Sequence, residues 1–328
     1  MTGPVLVVGA TGHVGSQVAT AVARTGRPVR ALVRSADARI SGADDLPIDY
    51  VVGDLTDEAS IDRAVRGAEA VVSTANAIIP SGRTVGPSRL NQLGADVLVA
   101  AAVRHDVRRF VQSSVPTHDW GDRHVPELRG KRAIEAALAA SPLDYTVVRN
   151  PAFTDVWLVM CGCLAARNRD PHATTSRPYG FMQTWQRLTG DLVTRRGRLL
   201  APGGPAHGAA FVTTRDVAFG IAAAVASPDV ARATIEFGGP EWLTWTDVAA
   251  LLEERLGRDV TPTSMPAWLA NVGRVATKPF SRSAANVLAL TTFVAKYQPH
   301  WERAAIVDQL GLPPQQTVAE YLDDHLCT

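Results

Sequence analysis

Three glycines near the N-terminus and one lysine in mid-chain have the residue types and spacing that chemistry could use. "VVGATGHVG" sets Gly9, Gly12 and Gly15 three residues apart, between an apolar run of buried-strand type and a helical pattern. Gly9 permits a tight turn, Gly12 lets backbone approach a pyrophosphate, and Gly15 lets the helix pack closely on the strand. The helix N-terminus adds free N–H groups and a partial positive charge for the phosphates. In this strand–turn–helix setting the pattern points to a bound dinucleotide.

The second signal is a choice of residue. The chain has 33 lysines and arginines, yet the lysines are only Lys131, Lys278 and Lys296. Lys131 sits inside "PELRGKRAIEAAL". An ammonium is a compact donor whose pKa falls readily when it is desolvated, which a guanidinium cannot match. The competing reading is an i,i+4 ion pair with Glu127 on a wet helix face, worth a few tenths of a kcal/mol.

A dinucleotide site also declares its coenzyme. About 20 residues past the glycines, an acidic side chain would take the ribose 2′-hydroxyl of NAD. Here "RALVRS" ends in Arg34–Ser35, with Asp37 two positions later. A guanidinium suits a 2′-phosphate and can stack on adenine, so NADPH is expected over NADH. Asp54, in "GDLTD" after the third strand pattern, can sit by the adenine edge or cap its own turn.

The elements that must position these residues alternate along the first half of the chain. Buried-strand runs occur at 4–10, 28–34, 48–54, 68–75, 107–115 and 143–150, with helical patterns at 12–26, 57–66, 88–105 and 125–141. Such alternation predicts an α/β, Rossmann-like, doubly wound parallel sheet with right-handed crossovers. After residue 150 the rhythm breaks. A helix at 213–228 and a strand at 233–239 return to the sheet, and Thr244 or Thr246 can cap a helix that Gly257 stops. The expected organisation is a dinucleotide domain over 1–155, completed by about 211–239. Residues 156–210 and 240–328 would form a smaller, discontinuous substrate lobe.

Bulk properties narrow the partners. With 33 basic against 32 acidic residues, no electrostatic affinity for nucleic acid is expected. No basic leader with an apolar core opens the chain, and no apolar run reaches the roughly 20 residues of a spanning helix. A cytoplasmic monomer or homodimer with no membrane partner and no metal is expected. Cys161 and Cys163 are expected to be buried free thiols. The chain has no G-x-S-x-G, H-E-x-x-H or Walker pattern.

Taken together, "GATGHVG", "ALVRS", "GDLTD", the Ser113–Ser114 pair, Lys131 and "RNPAF" (149–153) resemble the atypical short-chain dehydrogenase/reductases, nearest the NmrA-like, NAD(P)H-binding branch. The resemblance covers about 1–155 well and fades beyond 260. It implies a Rossmann sheet with a small C-terminal lobe and NADP as the usual coenzyme. The coenzyme set it implies is Gly9, Thr11, Gly12, His13, Val14, Gly15, Arg34, Asp54, Leu55, Ala75, Asn76, Lys131, Asn150, Pro151 and Phe153. Lys131 would hydrogen-bond the nicotinamide ribose and keep a proton near the hydride acceptor.

The chain departs from the parent Ser, Tyr-x-x-x-Lys pattern at one place: Glu127 stands where the tyrosine would be. Lys131 itself, or His118 or His124, would then supply the proton, with Ser113 or Ser114 orienting a substrate carbonyl. Trp157, Phe181, Trp185 and Phe211 could line an apolar substrate pocket. The expected activity is an NADPH-dependent reduction of a small apolar or aromatic carbonyl, enone, quinone or imine. The alternatives are an NADP-binding regulatory or redox-sensing protein without turnover, or a non-redox isomerase or dehydratase.

Overall fold

The computed structural model describes residues 3–75, 92, 95–177, 180–298 and 306–326. Its centre is a parallel sheet of seven strands: β1 Val5–Val8, β2 Val29–Val33, β3 Ile48–Val52, β4 Ala70–Ser73, β5 Arg109–Ser114, β6 Asp144–Arg149 and β7 Ala233–Glu236. In space they run β7-β6-β5-β4-β1-β2-β3, so the order reverses between β1 and β4. In open α/β sheets, ligands bind outside the carboxyl ends of the strands at that reversal. Every strand pattern expected in the first half falls on one of β1–β6, and 233–239 supplies β7.

The sheet holds because its strands are apolar on both faces. Along β1, Val5 and Val7 pack toward the helices His13–Arg24 and Thr214–Ala226, with Val18, Val22 and Ile221. Leu6 and Val8 pack the other way, with Ile61, Phe110 and Leu138, beneath the helices Glu58–Val65 and Pro126–Ala140. Fully burying each such side chain contributes about 2 kcal/mol. The expected helix over 88–105 is seen as a π-helical turn, Ala95–Val99, running into Ala100–Arg104, and most of 88–94 lies outside the described residues.

A further apolar core is built on Trp245, Tyr321, Phe211 and Leu252. Its polar handles are satisfied: Trp245 Nε1 donates to the Pro202 carbonyl at 3.2 Å and the Tyr321 hydroxyl to that of Ala166 at 2.9 Å. Thr244 caps Trp245–Leu256 in a capping box with Asp247, and Gly257 ends that helix in a left-handed conformation. A parallel strand pair, Arg198–Pro202 with Thr261–Met265, was not expected from the sequence. Each strand is short, and Pro262 has no N–H to give a ladder, so the pattern reads as loop. Cys161 and Cys163 are free and fully buried; burial pushes the Cys163 thiol up to about 11, too high for reactive thiolate.

Candidate active site

β1 ends in a turn that only glycine can make. Gly9 has φ +86°, and a Cβ there would meet the Ala75 nitrogen at 2.9 Å. The Gly12 N–H donates to the Gly9 carbonyl at 2.8 Å, and Gly12 is the N-cap of His13–Arg24 with no side-chain cap. The first-turn amides of that helix are therefore not taken by a side-chain oxygen, which leaves them for an anion. Gly15 packs hardest: a Cβ would lie 2.0 Å from the Gly9 carbonyl oxygen.

One strand over, at the carboxyl ends of β4 and β5, sits Lys131. Its ammonium donates to the Ser113 carbonyl at 2.9 Å and the Ala75 carbonyl at 3.3 Å. The residue is 3 % exposed and Glu127, one turn earlier, only 2 %. A pair on a wet helix face is thereby ruled out; both groups are inside the protein. Burial is the main cause that drives the Lys131 pKa down, against the opposing charges of Glu127 and Glu135, to about 8. An ammonium with that pKa can give up a proton near neutrality.

The two serines separate. Ser113 presents its carbonyl to Lys131, and its Oγ accepts from the Asn150 amide at 3.4 Å. Ser114 points to the opposite face, where its hydroxyl donates to Glu135 at 2.6 Å inside an ion network with Arg132 and Arg149. Alternation along β5 sends the Ser114 side chain away from that of Ser113. Asn150 is buried, and its Oδ1 meets no donor among the described residues. An unmatched buried acceptor costs about 1–3 kcal/mol unless a ligand donor meets it.

His118 is tied into its own helix start. It is the N-cap of Asp119–His124, its Nδ1 accepting from the Gly121 N–H at 3.2 Å, with its ring edge-on to Phe293 and Tyr297. His124 is turned onto Trp120, whose carbonyl its Nδ1 meets at 2.8 Å. Phe211 packs in the core around Trp245, edge-on to that ring. Trp185 packs with Met160 and Met182, its Nε1 donating to the Met160 carbonyl, and Trp157 packs between that cluster and the core around Trp245. The Phe181 side chain and Asn76 lie outside the described residues.

The other positions expected to meet a coenzyme are placed as follows. Val14 and Phe153 pack against the first core layer, Leu55 and Ala75 against the second, and Pro151 is half-buried beside Asn150. Arg34 is exposed at the end of β2. Asp54 turns its carboxylate onto its own loop, accepting from the Thr56 amide and hydroxyl; those bonds, and then the Arg34 charge, hold its pKa below the usual range.

His13 is buried at the start of its helix. Its imidazole is turned inward, Nε2 lying 2.9 Å from Asp155 Oδ2, so only its backbone can face a phosphate. The Thr214 hydroxyl donates to the same carboxylate oxygen at 2.5 Å. Burial pushes the Asp155 pKa up, but His13 and Thr214 outweigh it and the net shift is downward. This buried knot ties the glycine turn to the segment just past Phe153 and to the helix Thr214–Ala226. A second tie closes over the turn: His172 Nδ1 meets the Thr11 carbonyl at 3.1 Å, its Nε2 accepts from the Ser41 N–H at 2.9 Å, and Arg177 also donates to Thr11. None of Asp155, His172, Arg177 or Thr214 lies in a motif of the sequence.

Glycine turn, bare helix start and buried lysine at the sheet's reversal define a nicotinamide-dinucleotide-binding α/β protein, and the residues present fit that coenzyme. The chain belongs to the NAD(P)H-binding family, whose model matches residues 9–172. It is similar to sterol demethylase protein B of Methylococcus capsulatus, 36 % identical over 110 residues, 33 % of each chain. It is also similar to ceramide reductase of Caulobacter vibrioides, 34 % identical over 155 residues, 46 % of each chain. The chain thus spans about a third to a half of the length of these curated relatives. An NADPH-dependent quinone oxidoreductase of Escherichia coli, in a structure with NADPH, shares the fold at TM-score 0.72 and 19 % identity, covering 98 % of this chain and 99 % of that one.

Proposed function

We propose that the chain is an NADPH-dependent reductase of apolar carbonyl, enone, quinone or imine compounds, with Lys131 as its acid. The observation that carries this reading is the Lys131 ammonium, held on the Ala75 and Ser113 carbonyls beside the glycine turn. When bound, the reduced nicotinamide supplies a hydride. Lys131 holds the proton at Nζ that the reduced oxygen or nitrogen needs, in the place where the tyrosine is missing. Asn150 Oδ1 offers an acceptor for orientation, and Gly9, Gly12 and Gly15 let the backbone close on the diphosphate. The apolar substrate class is supported by the sterol, ceramide and quinone named for the similar proteins.

The direct test follows NADPH oxidation with a panel of quinones, enones and ketones. Tight NADPH binding without turnover of any of them would replace the reductase with a redox sensor. Coenzyme choice has its own test. Arg34→Ala is expected to weaken NADPH binding about tenfold or more, the worth of a charge-assisted hydrogen bond, and NADH binding hardly at all. Equal losses for the two coenzymes would remove Arg34 from the 2′-phosphate.

The acid role has a pH signature with a definite sign. Lys131 is charged below about pH 8, so kcat/KM is expected to fall as pH rises through that value. The Glu127 charge raises the Lys131 pKa. Glu127→Gln is therefore expected to move that fall to lower pH, and an unmoved alkaline limb would take the proton away from Lys131.

A further inference from the structure

The helix Ala267–Thr277 is amphipathic the wrong way round. Its side toward the helix Arg282–Val294 carries small residues: Ala270 is buried, and a Cβ on Gly273 would lie 3.3 Å from Leu288. Its outward arc is Trp268, Leu269, Val272, Val275 and Ala276, all exposed. These fall at the i, i+1, i+4, i+7 and i+8 spacing of one helical stripe. Trp268 is 66 % exposed, Val272 55 % and Val275 58 %, and Phe280, at the turn between the two helices, is 91 % exposed. Among the described residues seven large apolar side chains are exposed, and five of them lie between Trp268 and Phe280. An apolar patch of this kind marks an interaction surface, because single exposed apolar residues are ordinary but a contiguous stripe is not.

Charge says what covers it. From Val260 to His300 the sequence contains no aspartate or glutamate, while Arg274, Lys278, Arg282 and Lys296 all fall there. Lys278 and Arg282 are exposed beside Phe280. A second copy packed across a two-fold axis would set these cations against themselves, a like-charge arrangement that is costly. An anionic bilayer surface satisfies both features at once: the Trp and Phe side chains enter the acyl boundary while Lys and Arg reach the headgroups. No helix among the described residues is long and apolar enough to cross a membrane, so the surface would lie on the bilayer.

We infer that the hairpin Ala267–Val294 docks the protein on anionic phospholipid membranes through Trp268, Leu269, Val272, Val275 and Phe280, with Lys278 and Arg282 selecting the anionic headgroup. A search of the sequence for a spanning segment misses such a surface, because a helix that lies in the interface need not be long or apolar all round.

Vesicle sedimentation tests it with two probes, phosphatidylcholine alone and phosphatidylcholine mixed with phosphatidylglycerol. The wild-type chain is expected to partition onto the mixed vesicles about tenfold more strongly than onto the neutral ones, with salt narrowing the difference. Val272→Glu combined with Phe280→Glu is expected to lower partitioning to both by about tenfold or more. Lys278→Gln combined with Arg282→Gln is expected to remove the anionic preference alone. Unchanged circular dichroism and melting temperature show that the variants are folded. Wild-type protein that stays in the supernatant with both vesicles overturns the proposal, as does a Val272→Glu, Phe280→Glu protein that sediments like wild type. Light scattering that finds a dimer which this variant dissociates, without vesicle binding, assigns the stripe to a second copy and equally overturns it.

Discussion

Lys131→Ala is expected to lower kcat for NADPH oxidation by about a thousandfold, within the range that a positioned acid contributes. NADPH affinity should change by less than about tenfold, because the diphosphate turn is made by Gly9, Gly12 and Gly15 and the backbone around them. Stopped-flow oxidation and equilibrium binding on the same protein separate the two effects. Lys131→Arg is not expected to rescue turnover: the site is 3 % exposed, shaped around one ammonium on two carbonyls, and a guanidinium keeps its proton. Turnover of Lys131→Ala within tenfold of wild type would leave the lysine as a structural residue.

The same burial makes Lys131 a linked stability term. Its folded pKa, about 8, lies below the ordinary 10.5. Below pH 8 both folded and unfolded chains hold the proton, and the folded one carries the burial cost, about 3 kcal/mol at most. Between pH 8 and 10.5 the unfolded chain binds more protons, so this group's contribution rises with pH. Lys131→Met should abolish that rise in denaturant titrations across the window. Burying Lys131 thus costs the fold stability below about pH 8.

Gly15→Ala carries the second large effect. The new Cβ would lie 2.0 Å from the Gly9 carbonyl oxygen and 2.6 Å from Thr74 Oγ1, so the turn or the helix must move. Overpacking of this kind costs about 1–3 kcal/mol, and the displaced turn no longer fits a diphosphate. A lowered melting temperature together with coenzyme affinity down at least a hundredfold is the expected result. Gly12→Ala makes the contrast, since its Cβ meets only the Gly9 carbonyl oxygen, at 3.0 Å. It is expected to keep stability within about 1 kcal/mol while still obstructing the approach of a phosphate. Full affinity in both variants would move the coenzyme elsewhere.

Much of this was legible in the residues because it is local. A strand, a glycine turn and a helix start within a dozen positions are set by backbone sterics and apolar period, which neighbours in sequence decide. The parallel sheet followed from near-continuous apolar runs such as Val5–Val8, since only burial on both faces explains them. Glu127 and Lys131 show where such reading stops. Spacing of four is equally that of a solvated ion pair and of a buried acid–base pair, and only the layers packed over the helix decide between them.

The amino-acid sequence by itself therefore determined the glycine turn, the sheet and the order of its parts. The tertiary structure decided what surrounds them: that Lys131 is dry, that Ser113 and Ser114 part company, that His13 reaches Asp155 and Thr214, 201 residues beyond it, and that the helix at 267–277 turns its apolar side outward. The physical reason is range. Propensity and periodicity act over a few residues, whereas desolvation and hydrogen-bond partnership depend on segments that meet only when the chain has folded.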